Sequence, residues 1–167
     1  LEKNNDEIHK RFGGQGLAEY CPDIKTALSY DKIIDYIDKE KIIEWGNAYD
    51  KKRMATDPAF KMKRRVGISV YQTLKNQGKT KGGSTFSALP YTPQDLVEHL
   101  EKQFDEKMNW DNYGSYWHLD HIYPQSLLPY DNLAHPNFQK CWALDNLQPL
   151  EAIENLKKGN RVLRQRS

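Results

Sequence analysis

Residues 117–122, Trp-His-Leu-Asp-His-Ile, alternate as a half-buried strand does, and Pro124 prevents the ladder from running on. A loop carrying Pro129, Asn132 and Pro136 follows. Phe138 to Leu144 then reads as a second strand or its approach, and Asp145-Asn146 as a turn. Leu147 to Lys158 reads as a helix with Leu150, Ile153 and Leu156 inward, and Gly159 is a natural terminator. The local plan is strand, loop, strand, helix, which places the chain in the α+β class. Successive side chains of an ideal strand point to opposite faces. Asp120 and His121 therefore serve one site only where the strand bends or ends, and Pro124 is placed to allow that.

The segments ahead of this plan are mainly helical. Ile33, Ile34, Tyr36, Ile37, Ile42, Ile43 and Trp45 recur at helical spacing within residues 30–45, as one or two amphipathic helices. Asp57-Pro58 is a helix start, and the stretch to about Gln77 forms a basic helix carrying Val66, Ile68, Val70, Tyr71 and Leu74. Residues 78–84 are a basic loop by composition. Its Gly-Lys-Thr is not a phosphate-binding loop, because that motif needs glycine at position 73, where Thr73 stands. Thr92-Pro93-Gln94-Asp95 starts another helix with the pattern of a capping box. Leu96, Val97, Leu100 and Phe104 mark its apolar face, and it is expected to end near Met108. Trp110, Tyr113, Tyr116 and Trp117 read as core aromatics rather than a base-stacking platform.

A chain of 167 residues can bury a core without cross-links. Its two cysteines, Cys21 and Cys141, stand far apart outside any CxxC pair, so they cannot form a four-cysteine zinc site and read as buried thiols. No apolar run approaches the roughly 18 residues of a membrane span, and no charged-then-apolar leader stands at the N-terminus. The expectation is a cytoplasmic, intracellular protein with no membrane partner. The net charge of +2 hides an uneven distribution: residues 51–81 alone carry +9. That block reads either as a footprint for a phosphate backbone or as a solvated helix face with surplus lysines.

Trp117-His-Leu-Asp-His-Ile-Tyr-Pro, Phe138-Gln-Lys-Cys-Trp, Asn146-Leu-Gln-Pro-Leu and Asn155-Leu-Lys-Lys-Gly resemble the successive signatures of HNH endonucleases, especially phage and mobile-element types. Asp57-Pro-Ala-Phe, Leu96-Val-Glu-His-Leu-Glu-Lys-Gln-Phe and Met108-Asn-Trp-Asp-Asn-Tyr-Gly resemble what precedes that motif. The resemblance covers roughly residues 50–160. It implies a ββα-metal finger embedded in additional, mainly α-helical structure. Residues 1–49 would be an accessory segment of unknown role, 50–108 a basic helical DNA-approach region, and 109–167 the catalytic core.

By the same resemblance His121 would be the general base and Asp120 a ligand to a single divalent metal. Asn155 would be the second protein ligand. Asn146, grouped with His121 as catalytic, would tie the loop down and orient the base. A histidine pKa of about 6.5 suits a base near neutrality, and oxygen ligands favour Mg2+ or Mn2+. Many relatives carry two CxxC pairs that hold a structural zinc; this chain has none, and Trp117, Phe138, Trp142, Leu147 and Leu150 are expected to pack in its place.

His118 shares a strand face with Asp120 and is expected beside the site, as a local structural partner, a substrate contact or a third ligand. His99 and His135 read as bystanders. The expected nucleic-acid contacts are Lys61, Lys63, Arg64, Arg65, Lys79, Lys81, Lys158 and Arg161, with Arg164 and Arg166 continuing a basic C-terminal edge. The expected partner is DNA, with a homodimer if both strands are cut. The alternatives are a nucleic-acid-binding module that keeps the motif only as a scaffold, and a toxin-type nuclease.

Overall fold

Asp57 opens a helix whose start follows from two adjacent residues. Its carboxylate accepts the Phe60 N–H at 2.9 Å, and Pro58, which has no N–H to satisfy, takes the first helical position. The structure, a computed structural model, describes residues 39–162, and the chain divides into two units at the Thr56/Asp57 junction. In the first unit, helix α1 spans Lys39–Thr56. The rest of the helical segment expected over residues 30–45 lies outside the described residues, as does Cys21.

In the second unit, α2 spans Pro58–Lys75 and buries Met62, Val66, Val70 and Leu74. That spacing of four is a single stripe, which leaves Ile68 and Tyr71, expected with the apolar set, about half exposed. Helix α3, Pro93–Glu101, starts with the expected capping box: Thr92 Oγ1 accepts the Asp95 N–H at 3.2 Å, and Asp95 Oδ2 accepts the Thr92 N–H at 2.7 Å. Leu96, Val97 and Leu100 are buried as it packs on α2. It ends at Glu101, short of Met108; Phe104 and Met108 reach the same core from the turns that follow. Each large side chain so buried contributes about 1.5–3 kcal/mol.

Strand β1, Trp117–His121, pairs antiparallel with β2, Leu147–Glu151, placing Asp120 opposite Gln148 and Leu119 opposite Pro149. Two segments differ from expectation here, for local reasons. Within residues 138–144, expected as the second strand or its approach, residues 138–141 instead belong to helix α4, Pro136–Cys141, because Pro136 sits at its first position and His135 Nδ1 caps the Asn137 N–H at 3.0 Å. Residues 147–151, expected as helix, form β2, because Pro149 would break a helix interior, and a two-stranded sheet always has edges where proline fits. The last helix, α5, is therefore short, Ala152–Lys158, and lies across both strands. Ile153 and Leu156, expected inward, are 58% and 80% exposed; the inward positions hold Asn155 and Lys158 instead.

The order β1–β2–α5 and the helices around it make the unit α+β. Trp117 is fully buried among Tyr113, Phe104 and Trp110, with ring centroids 4.7, 4.8 and 5.3 Å away, so this aromatic run is core. Phe138, Trp142 and Leu147 complete the packing expected in place of a zinc staple, with Leu150 partly buried. Cys141 is a buried free thiol whose pKa burial pushes up to about 12. Among the described residues no helix is long and apolar enough to cross a membrane.

Candidate active site

The end of β1 carries a carboxylate that water barely reaches. Asp120 is 7% exposed, and a buried carboxylate needs hydrogen bonds and a counter-charge to stay ionised. Gln148, its partner across the sheet, donates to Oδ2 at 2.8 Å. Lys158 reaches up from α5 and places Nζ 2.8 Å from Oδ1 and 2.9 Å from Oδ2. The same ammonium donates to the backbone carbonyl of His121. Lys158 is itself 2% exposed, so this is a fully desolvated ion pair.

His121 turns to a different neighbour. Its ring stands edge-on against Trp142 at 4.6 Å between centroids. Its Nε2 is buried and has no hydrogen-bond partner among the described residues. Burial drives its pKa down to about 4; the Lys158 charge adds to the fall and Asp120 partly offsets it. The imidazole is therefore neutral at pH 7, the protonation state a base requires.

Asn146 fixes the chain just past His121. Its Oδ1 accepts the Tyr123 N–H at 2.7 Å, and its Nδ2 donates to the carbonyls of Tyr123 at 3.2 Å and Cys141 at 2.9 Å. Its own carbonyl accepts the Ile122 N–H at 2.9 Å. One amide thus binds the exit of β1 to the approach of β2. It does so next to His121 without touching the ring in any hydrogen bond.

Asn155 lies one turn before Lys158 on the inward side of α5 and meets His118. Its Nδ2 is 3.4 Å from His118 Nδ1, while His118 Nε2 is 3.2 Å from the Gly114 carbonyl. With Nε2 donating to that carbonyl, Nδ1 is left as the acceptor for Asn155. Two inward residues of α5, three apart, thus engage two residues of β1, two apart. Asp120 and Asn155 are not brought onto a common point. Among the described residues no three His, Cys, Asp or Glu side chains converge. As the side chains stand, Asp120 and Asn155 do not fit a divalent metal, because an ammonium already occupies the carboxylate.

Several expected phosphate contacts have other work. Lys158 is not a surface cation, since the buried Asp120 draws it inward. Lys61 donates to the Trp110 carbonyl at 3.0 Å, tying α2 to the loop before β1. Arg161 is exposed but folds back on the carbonyls of Lys157 and Lys158, closing the end of α5. Lys63, Arg64 and Arg65 are exposed on α2, Arg65 with its guanidinium 6.0 Å from the centre of the Tyr113 ring. Lys79 is exposed and Lys81 half-buried in the loop after α2. Arg164 and Arg166 lie outside the described residues. His99, near the Leu147 carbonyl at 2.9 Å, and His135, the cap of α4, hold structure. Gln148 was not singled out because its role depends on strand register, and Lys158 was expected on phosphate because its partner Asp120 stands 38 residues away in sequence.

The half-buried neutral His121 makes stability depend on pH. Its folded pKa of about 4 lies below its unfolded value of about 6.5, so the unfolded chain takes up the proton first. This contribution is complete above pH 6.5 and is lost as pH falls toward 4, at about 2 kcal/mol between pH 7 and pH 5. Urea unfolding at the two pH values checks it: His121→Phe should flatten the difference relative to wild type.

Two proteins of Acanthamoeba polyphaga mimivirus resemble the chain. The uncharacterized protein L426 is 35% identical over 137 residues, covering 80% of this chain and 56% of its own length. The uncharacterized protein L246 is 30% identical over 139 residues, covering 77% of this chain and 59% of its own. The chain thus spans less than two thirds of either relative. No family model matches it, and a search of the solved structures finds no significant match.

Proposed function

We propose that the chain is an endonuclease of the HNH type that hydrolyses phosphodiester bonds in DNA. One observation carries the reading: a neutral, half-buried histidine, whose buried Nε2 has no hydrogen-bond partner among the described residues, follows a buried carboxylate in the chain at the end of a strand. A ring held only for packing would leave that nitrogen a standing cost. The strand–strand–helix order and the Asn146 bonds agree with the motif blocks that suggested the family.

In this reading His121 Nε2 takes the proton of a water whose oxygen attacks phosphorus, the bond from phosphorus to the 3′-oxygen breaks, and the 3′-oxygen takes a proton from solvent water to leave as the hydroxyl. A pKa of about 4 makes a weak base, and a phosphate anion seated nearby would raise it toward neutrality. Asn146 holds the backbone from which His121 projects. The expected Mg2+ or Mn2+ would have to replace an ammonium at Asp120, so the proton transfer is assigned to the chain's own residues.

The Lys158–Asp120 pair specifically favours a second reading, in which the motif is kept as a scaffold for binding nucleic acid without cleavage. An end-labelled DNA duplex incubated with Mg2+, Mn2+ or EDTA separates the two. The nuclease reading expects fragments ending in 5′-phosphate and 3′-hydroxyl, formed only with metal. A mobility shift with no fragments in any metal would overturn it in favour of the scaffold.

A further inference from the structure

A cavity of about 320 Å3 opens between α2 and the segment 81–86. Lys63 and Arg64 border it from the helix and Lys81 from the loop, and no carboxylate lines it. Lys81 is half-buried, and its burial lowers its pKa, the mark of an ammonium drawn out of water without a compensating acid. Thr85, also on the wall, is 2% exposed, and its hydroxyl has no partner among the described residues. Ile68 and Tyr71, which the α2 stripe leaves half exposed, supply an apolar and aromatic side to the same cavity.

Gly67 sits mid-helix at its floor, where glycine costs about 1 kcal/mol relative to alanine. A Cβ there would lie 3.7 Å from Lys81 Nζ, so alanine fits but any longer side chain would project among the cations. The cavity is at the small end of ligand sites, which run from about 300 to 1,000 Å3. Two lysine ammoniums, a hydroxyl with no partner among the described residues and a half-exposed tyrosine ring match a phosphate joined to a flat base.

We propose that this cavity seats one phosphate-bearing nucleotide of a DNA strand, with Lys81 and Lys63 on the phosphate and Tyr71 beside the base. The inference rests on the nucleic-acid part of the functional reading and not on cleavage.

The test is binding of a fluorescent single-stranded oligonucleotide to the full chain in EDTA, where no metal-dependent cleavage occurs. Gly67→Leu, which fills the cavity and keeps every cation, is expected to raise Kd about tenfold, the order expected for losing one good contact. Lys81→Gln is expected to weaken binding similarly and to reduce the salt slope by about one. Lys140→Gln, on α4 and outside the cavity's lining, should change little. Competition separates sources: a deoxynucleoside monophosphate should displace the oligonucleotide from wild type better than inorganic phosphate, and not from Gly67→Leu. Unchanged binding by Gly67→Leu, with equal losses for Lys81→Gln and Lys140→Gln, would overturn the site and leave only diffuse charge. If Gly67→Leu melts below wild type, Gly67→Met, unbranched and of similar helix propensity, replaces it under the same criteria. Cleavage failing while these differences persist would sink the nuclease reading and leave the cavity assignment standing.

Discussion

Lys158→Met is expected to destabilise the second unit by about 3–5 kcal/mol, because it strands a buried carboxylate without its counter-charge. The two Lys158 contacts to Asp120 and the one to the His121 carbonyl all vanish together, and Gln148 alone remains on Oδ2. Pairing Lys158→Met with Asp120→Leu should recover much of the loss, since two apolar groups of similar bulk avoid the orphaned charge. Denaturant unfolding of the single and double variants measures both. A loss below about 1 kcal/mol in the single variant, the range of an exposed pair, would mean the pair is solvated in solution.

The same variant reports on the metal. With Lys158 gone, Asp120 is a buried anion in want of a cation, and a cation that binds only the folded state raises its stability. Added Mg2+ or Mn2+ should therefore raise the melting temperature of Lys158→Met more than that of wild type. Equal response of the two proteins would separate metal binding from Asp120.

His121→Ala is expected to lower the rate of DNA cleavage by about 10²- to 10⁴-fold, the usual contribution of a positioned general base. Oligonucleotide affinity should hardly change, because the ring is not among the cavity cations. The substitution also removes the edge-on contact with Trp142, so the variant must be shown to melt cooperatively before its rate is read. A structural histidine would predict the opposite split, with a large loss of stability and cleavage falling only as far as folding does.

What the sequence made legible was local. The Asp57-Pro58 start and the Thr92–Asp95 capping box depend on residues within one turn, and both formed as written. Of the apolar set expected on α2, Val66, Val70 and Leu74 went inward and were joined by Met62, while Ile68 and Tyr71 stayed half exposed. The strand ahead of Pro124 was equally readable.

The misreadings lie where local signals competed. An Asn-Leu-Gln-Pro-Leu segment has helical apolar spacing, yet Pro149 decides for strand. Once residues 147–151 become strand, α5 shortens, Leu156 turns to solvent and Lys158 turns to Asp120. That ion pair joins residues 38 apart in sequence, and no pattern in either segment announces it. The expected ligand pair, Asp120 with Asn155, is a different matter, since it names residue types that a metal would hold and its test is the metal response above. The geometry divides it into Asp120 with Lys158 and Asn155 with His118.

The central claim is that His121 works on a phosphodiester. Its most direct test is nicking of supercoiled plasmid by wild type and by folded His121→Ala, side by side, in Mg2+ or Mn2+ and in EDTA. The account predicts nicked circles from wild type only when metal is present, and at least a hundredfold fewer from the variant. Equal nicking by the two proteins, or none by wild type in either metal, would contradict it.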